Sequence, residues 1–252
     1  MIGPSAHARA QVLARESATL CGAAWFDEVF RQLDPAVAVA WRHADGAAIP
    51  QDTIVCELDG SARSIVTGER TALNLLQTLS GTATATRRFV DALAGSNTRV
   101  LDTRKTVPGL RHAQKYAVRC GGGVNHRIGL FDAVLIKENH IAAVGGLSEA
   151  VRIAKRNTPN VMIEVEVETL DQLREALDTD ADRIMLDDFA VDTLRAAVDA
   201  RDRHPGKRKE LEVSGGVQLS ALSAIAATGV DFISVGAITK HVRAVDFSMR
   251  FV

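Results

Sequence analysis

From residue 99 onward the chain alternates two kinds of segment, and this alternation restricts the fold more than any other feature. Apolar runs at 99–103, 133–136, 161–167, 183–186, 211–213 and 231–235 are separated by amphipathic stretches at about 110–120, 147–157, 169–178, 190–202 and 218–228. Short apolar runs bounded by turn residues read as strands, and apolar residues at helical spacing read as helices. Repetition of the two predicts a parallel sheet with helices outside it. A closed or nearly closed barrel satisfies this pattern, and so does a doubly wound open sheet. The polar residues separate the two. Nearly every run ends in a polar or glycine-rich cluster: Asp102-Thr103-Arg104-Lys105, Lys137-Glu138-Asn139, Glu166-Val167-Glu168, Asp187-Asp188, Ser214-Gly215-Gly216 and Gly236-Ala237. Barrels gather chemistry at the C-terminal ends of many strands, whereas an open sheet concentrates it at one switch point. The barrel is therefore the expectation.

The first third has a different grammar. Strands are predicted over 10–15, 37–42 and 53–58, with Asp45-Gly46 and Asp59-Gly60 as turns. One helix is predicted over 23–33. A second starts near Thr67-Gly68-Glu69, carries Leu73, Leu76 and Leu79, is interrupted at Gly81 and resumes to about Leu93. The 252 residues leave room for a barrel with a small companion domain. A formal net charge of −1 gives nothing global to attract nucleic acid or an anionic membrane. Three cysteines, far apart in sequence, form no zinc or disulfide pattern, so a reducing, cytoplasmic setting is expected. The N-terminus does not read as a secretory signal, and no apolar run is long enough to span a bilayer.

The strongest chemical signal is a basic block. Between Arg104 and Arg127 lie six Lys or Arg residues (Arg104, Lys105, Arg111, Lys115, Arg119 and Arg127), together with His112 and His126 and no acid; Lys137 follows at the next strand end. Surface helices usually mix signs, so the block reads as an anion pocket in which Arg forks match carboxylate or phosphate. Arg70, in the first turn of the expected second helix, opposes the helix dipole and hints at a ligand. The run Glu164-Val165-Glu166-Val167-Glu168 puts three acids on one face of a strand. With Asp187 at the next strand end, Glu166 could hold Mg²⁺ near a pyrophosphate or stabilise a developing cation. The turns at Ser214-Gly215-Gly216 and Ser234-Val235-Gly236 precede helices on the last two strands, where barrel phosphate sites are built.

Several of these motifs are long and occur in a recognisable order. Gly68-Glu69-Arg70-Thr71-Ala72-Leu73-Asn74, the 101–111 segment, Gly121-Gly122-Gly123-Val124-Asn125-His126-Arg127 and Lys137-Glu138-Asn139-His140 closely resemble quinolinate phosphoribosyltransferases. The likeness continues through 164–168, Leu186-Asp187-Asp188-Phe189, Ser214-Gly215-Gly216-Val217 and 234–241. It covers essentially the whole chain.

The resemblance implies an α/β sandwich domain over 1–95 with the tail 238–252, and an incomplete α/β barrel over 96–237. It also implies a homodimer or larger assembly in which Arg70 enters the neighbouring subunit's site. Quinolinate would meet Arg70, Arg104, His126, Arg127 and Lys137. Phosphoribosyl pyrophosphate would meet Lys105, Glu166, Asp187, Ser214, Gly215, Gly216, Ser234, Gly236 and Lys240 or His241. Mg²⁺ would accompany the pyrophosphate, and Glu166, Asp187 and Lys105 would serve catalysis. Family members run a few dozen residues further at the N-terminus, with a helical lead-in before the first strand. Three rivals share these residues: a same-fold paralogue of the molybdenum-transport-associated branch with another acceptor, a Schiff-base barrel enzyme using Lys137, and a binding protein without turnover.

Overall fold

The computed structural model describes residues 2–252. The chain divides into two compact units, one formed by 1–87, 106–123 and 237–252 and the other by 88–105 and 124–236.

In the first unit, β1 (His7–Ala14) pairs antiparallel with two strands distant in sequence. Its side chains alternate, with Ala10, Val12 and Ala14 buried, which is the period of a strand with one covered face. After the two-residue strand β2 (Ala18–Thr19) comes α1 (Ala23–Leu33), then β3 (Ala38–Trp41), β4 (Ala48–Ile49) and β5 (Ile54–Ser61). The helix α2 (Ala62–Asp91) follows directly. The last strand of the chain, β12 (Phe247–Phe251), returns to this unit, giving a four-stranded sheet in the order β12-β1-β5-β3. Phe26, Phe30, Leu58, Ile65, Leu73 and Leu76 fill the space between sheet and helices. Each such side chain contributes roughly 1.5–3 kcal/mol by leaving water.

The second helix differs from expectation in two ways. It begins at Ala62, not near Thr67, because Ser61 Oγ accepts the Ser64 N–H and caps it at the strand end. Arg70 consequently stands in the third turn, exposed, with its guanidinium 3.5 Å from Glu69, and not in the first turn. The dipole argument for a ligand at Arg70 therefore fails. Gly81 does not interrupt the helix either. A Cβ there would run into the Arg243 carbonyl, so the glycine serves close approach of the C-terminal segment. Gly68 plays the same part against the Phe30 ring.

The second unit contains β6 (Arg99–Leu101), β7 (Ala133–Ile136), β8 (Met162–Val167), β9 (Arg183–Asp187), β10 (Glu210–Ser214) and β11 (Phe232–Ser234). All pair in parallel, in the order β6-β11-β10-β9-β8-β7. Sequential strands are neighbours and the first pairs with the last, which is the cyclic order of a barrel with one opening, between β6 and β7. β8 and β9 are buried on both faces, as strands of a parallel sheet are, although β8 carries Glu164 and Glu166 on one of them. The helices α5 (Leu147–Asn157), α6 (Leu170–Leu177), α7 (Val191–Arg203) and α8 (Leu222–Ala226) fall between successive strands, where the spacing placed them. The expected 218–228 helix is a 3₁₀ turn at Leu219–Ala221 followed by the short α8. Helix α3 (Arg111–Cys120) belongs to the first unit. The short α9 (Ala237–Lys240) follows the Ser234-Val235-Gly236 turn, where a helix was expected, whereas α4 (Glu138–Val144) gave no sequence signal and buries none of its residues. No described helix is long and apolar enough to cross a membrane.

Candidate active site

The C-terminal ends of the parallel strands surround a cavity of about 350 Å³. Its basic side chains come from three consecutive places in the chain: Arg104 and Lys105 after β6, His126 and Arg127 before β7, and Lys137 after β7. Its acids are Glu166 on β8, Asp187 on β9 and Glu212 on β10. Register puts Glu166 opposite Met185 and Ser214 opposite Asp187, so the side chains at neighbouring strand ends converge. Leu135 and Met185 supply apolar wall.

Local structure holds these groups in place. Asp102, fully buried at the end of β6, accepts the His126 N–H at 2.8 Å through Oδ1 and the Asn125 side-chain amide at 2.7 Å through Oδ2. One carboxylate thus fixes the 125–126 turn. Asp132 closes the next loop by accepting the N–H groups of Ile128 and Gly129. Arg104 and Arg127 reach backbone carbonyls of Gly129 and Ala133, each at 3.4 Å. Burial, then the neighbouring Arg104, presses the Arg127 guanidinium below its ordinary pKa. Two guanidiniums crowded at a half-covered surface favour an anionic guest.

Below the cations lies a layer of buried acids. His126 Nε2 is 2.8 Å from Glu164 Oε2 and 3.4 Å from Glu212 Oε2, and both glutamates are fully buried. The Arg127 N–H donates to His126 Nδ1 at 2.7 Å, which leaves the ring proton on Nε2, facing the carboxylates. Arg183 answers from below, 3.3 Å from Glu212 and stacked over the Phe232 ring at 4.2 Å. Burial, reinforced by the adjacent Glu164, pushes Glu212 up to about 8; burial raises Glu164 as well. Charged carboxylates this deep are costly, so the pair retains a proton. The alternating acids foretold Glu164 and Glu166, but Glu168 lies exposed beyond the strand end. Glu212 and Arg183 were missed. The signal was Leu211-Glu212-Val213, a single acid inside an apolar strand run.

The glycine turns are strained in the way that close approach requires. Gly215 and Gly216 have φ of 98° and 47°, and Asp188 beside them has φ of 55°. The Asp188 N–H donates to the Ser214 carbonyl at 3.1 Å, and a Cβ on Gly215 would strike the Asp188 carboxylate. Gly236 leaves room for the Lys105 side chain and Thr103 Oγ1, either of which would lie within 3.4 Å of a Cβ there. Ser214 and Ser234 line the cavity itself.

The basic block therefore does not act as one patch. Arg104, Lys105, His126, Arg127 and Lys137 line the cavity of the second unit, while Arg111, His112, Lys115 and Arg119 lie on α3 in the first. Arg70, Lys240 and His241 also belong to the first unit.

Comparison with known proteins finds family matches over nearly the whole length. Residues 1–80 match the family model "Quinolinate phosphoribosyl transferase, N-terminal domain", and residues 82–250 match the corresponding C-terminal domain. The chain belongs to the quinolinate phosphoribosyl transferase family. It is 43% identical over 253 residues to a probable nicotinate-nucleotide pyrophosphorylase [carboxylating] of Synechocystis sp., covering 100% of this chain and 85% of that protein. A Bacillus subtilis protein with the same description is 44% identical over 241 residues, covering 95% and 82%. The solved nicotinate-nucleotide pyrophosphorylase from Francisella tularensis superposes with a TM-score of 0.95 at 48% identity, covering 98% of this chain and 87% of that one. The quinolinate phosphoribosyl transferase motifs quoted above supply every cation of the cavity.

Proposed function

We propose that this enzyme transfers the phosphoribosyl group of phosphoribosyl pyrophosphate to quinolinate with loss of CO₂, giving nicotinate mononucleotide and pyrophosphate for NAD biosynthesis. The observation that carries the reading is the convergence of Arg104, Lys105, Arg127 and Lys137 with Glu166 and Asp187 in one cavity. Two carboxylates on one small ring need several cations at fixed spacing, and a ribosyl cation needs acids nearby.

In this reading Arg104, His126, Arg127 and Lys137 orient quinolinate, joined by Arg70 of the partner subunit in a homodimer. Lys105, Glu166, Asp187, Ser234, the 214–216 turn, Gly236 and Lys240 or His241 receive phosphoribosyl pyrophosphate. The pyridine nitrogen attacks ribose C1 while pyrophosphate departs. Glu166 and Asp187 stabilise positive charge on the sugar as it develops, an interaction stronger in the transition state than in the ground state. The cations hold the ring nitrogen in line, which removes much of the entropic barrier. As the 2-carboxylate leaves as CO₂, the electron pair of the broken bond stays on ring carbon C2, stabilised by the adjacent positive nitrogen, and a proton from water then takes the vacated position. A location in the cytoplasm goes with this chemistry.

Mg²⁺ fits the donor set in a limited way. Glu166 and Asp187 offer the hard oxygens it prefers. Among the described residues, however, the three-ligand clusters are Cys21 with Asp45 and Cys120, and His126 with Glu164 and Glu212; neither includes Glu166 or Asp187. The ion would be held by one or two carboxylates together with substrate oxygens, and when bound it neutralises pyrophosphate charge.

An assay of nicotinate mononucleotide formation, with and without Mg²⁺, tests the proposal. Turnover is expected with quinolinate and Mg²⁺, and not with nicotinate, which lacks the second carboxylate. Equal turnover with nicotinate, or none with quinolinate, overturns it.

A further inference from the structure

Outside the cavity, the first unit holds a second cluster of reactive groups. Cys21 precedes α1, Asp45 lies in the turn before β4, and Cys120 ends α3. The two sulfurs and an Asp45 carboxylate oxygen all lie within 4.8 Å of one another. Thiols 99 positions apart in sequence are thus brought within 4.8 Å, with nothing in the proposed reaction to account for it.

The surroundings fix the Cys21 backbone and the Asp45 carboxylate. Ser80 Oγ accepts the Cys21 N–H and donates to the Cys21 carbonyl, each at 3.0 Å. The Asp45 Oδ1 accepts the N–H groups of Gly22 and Ala23, and Oδ2 accepts the Tyr116 hydroxyl at 2.9 Å. Tyr116 stands one helical turn before Cys120 and packs its ring against Trp25, 5.4 Å between centroids. Both Asp45 oxygens are therefore already occupied, and a tetrahedral metal site would have to take one from these donors and still find a fourth ligand. A thiol pair needs neither change.

The two thiols are unlike. Cys120 is partly exposed and Cys21 is fully buried behind it. We propose that Cys120 and Cys21 are a peroxide-responsive pair, Cys120 taking the oxidant and Cys21 resolving it as a Cys21–Cys120 disulfide. The Cys120 sulfur attacks one oxygen of a hydroperoxide, and the O–O bond breaks. For hydrogen peroxide, the leaving hydroxide takes up a proton to become water. Cys120 is then a sulfenic acid. The Cys21 sulfur attacks it, the S–O bond breaks, and the oxygen departs as a second water carrying the Cys21 proton. Two thiols lose two electrons in all, and the peroxide gains them. Bond formation requires the sulfurs to close to about 2.0 Å.

The division of labour follows from the contacts. The adjacent Cys21 thiol outweighs burial and draws Cys120 down to about 7, with help from Tyr116 and Arg119. The same pairing, with burial, raises Cys21. The thiolate is the nucleophile, so the exposed partner reacts first. The third cysteine, Cys56, is fully buried on β5 and raised by desolvation, which makes it an internal control.

The experiment treats the native full-length protein with a small excess of hydrogen peroxide, blocks remaining thiols, and maps non-reduced peptides by mass spectrometry. The expected result is a Cys21–Cys120 cross-linked peptide, loss of two of the three free thiols, retention of the Cys56 thiol, and full reversal by dithiothreitol. In Cys21→Ser, a sulfenate-trapping dione should label Cys120. Cys120→Ser should give neither label nor cross-link. Overoxidation of Cys120 in the unsubstituted protein without a cross-link, or oxidation of Cys21 and Cys120 no faster than Cys56, overturns the proposal. Since the peptide map needs no substitution, a variant that fails to fold does not decide the matter. Turnover of quinolinate is not the readout, so the outcome stands apart from the proposed reaction.

Discussion

Lys137 and Glu166, one at the end of β7 and the other on β8, meet across the cavity with Nζ 2.5 Å from Oε2. In the proposed reaction the lysine serves quinolinate and the glutamate serves phosphoribosyl pyrophosphate, so this pair links the two substrate regions. Lys137→Met removes a charged partner from both. The KM for quinolinate should rise at least tenfold, equivalent to about 1.5–3 kcal/mol for a charged hydrogen bond. Steady-state kinetics with each substrate varied in turn checks it; an unchanged KM for quinolinate would remove Lys137 from the acceptor region.

Arg104 is the clearest test of carboxylate recognition. Arg104→Ala should lower kcat/KM for quinolinate by about 2–5 kcal/mol, because a desolvated carboxylate loses its partner. Arg104→Lys should recover little, since an ammonium cannot form the guanidinium fork. Initial rates at low quinolinate read both effects.

Glu212 gives a prediction on stability. Its folded pKa of about 8 lies above the ordinary glutamic acid value of 4.5. A raised carboxyl pKa means that folding favours the protonated form. The stabilisation is complete below pH 4.5 and is lost as pH climbs to about 8. Glu212→Gln abolishes this loss. The stability of the variant relative to the parent should improve steadily between pH 5 and pH 8, measured by urea unfolding at fixed ionic strength. A constant difference across that range would mean that Glu212 does not titrate there.

The homodimer proposal predicts rescue between two defective enzymes. If Arg70 serves the partner subunit, a mixed dimer of Arg70→Ala and Arg104→Ala chains contains one intact site. Random re-association should restore about a quarter of normal activity. Mixing without subunit exchange should restore none, and activity of the re-associated mixture no higher than the separate variants would rule out the shared site.

Gly215→Ala should fail for a backbone reason. Its φ of 98° and the nearby Asp188 carboxylate leave no room for a methyl group. The KM for phosphoribosyl pyrophosphate should rise and the melting temperature should fall, while Gly3→Ala, with open space around it, should leave both unchanged.

The sequence was most legible where periodicity and burial agree. Residues 133–136 and 147–157 form the strand and helix that their patterns require, since each has a covered face. Legibility failed where a glycine or a cap admits two meanings. Gly81 reads as a break in isolation, and only the approach of Arg243 reveals it as a packing contact. Ser61 lies beyond the expected 53–58 strand and the Asp59-Gly60 turn, yet it ends β5 and also caps α2. The basic residues were visible as a block because acids are absent from it, but reading that block as one pocket overlooked that the expected 110–120 helix carries Arg111, Lys115 and Arg119 away from the strand ends. Arg183 and Glu212 carried no local signal of pairing, because their interaction exists only once β9 and β10 lie side by side.

The opening between β6 and β7 has a mechanical consequence. A fully closed ring has a fixed circumference, and any widening must rupture ladder hydrogen bonds. Here the edge of β6 is covered by Val124, while β7 is held from one side only, by β8. Lys137 thus follows a strand that rests on one ladder, so displacing β7 would load only the β8 hydrogen bonds and the Arg127 contact to the Ala133 carbonyl.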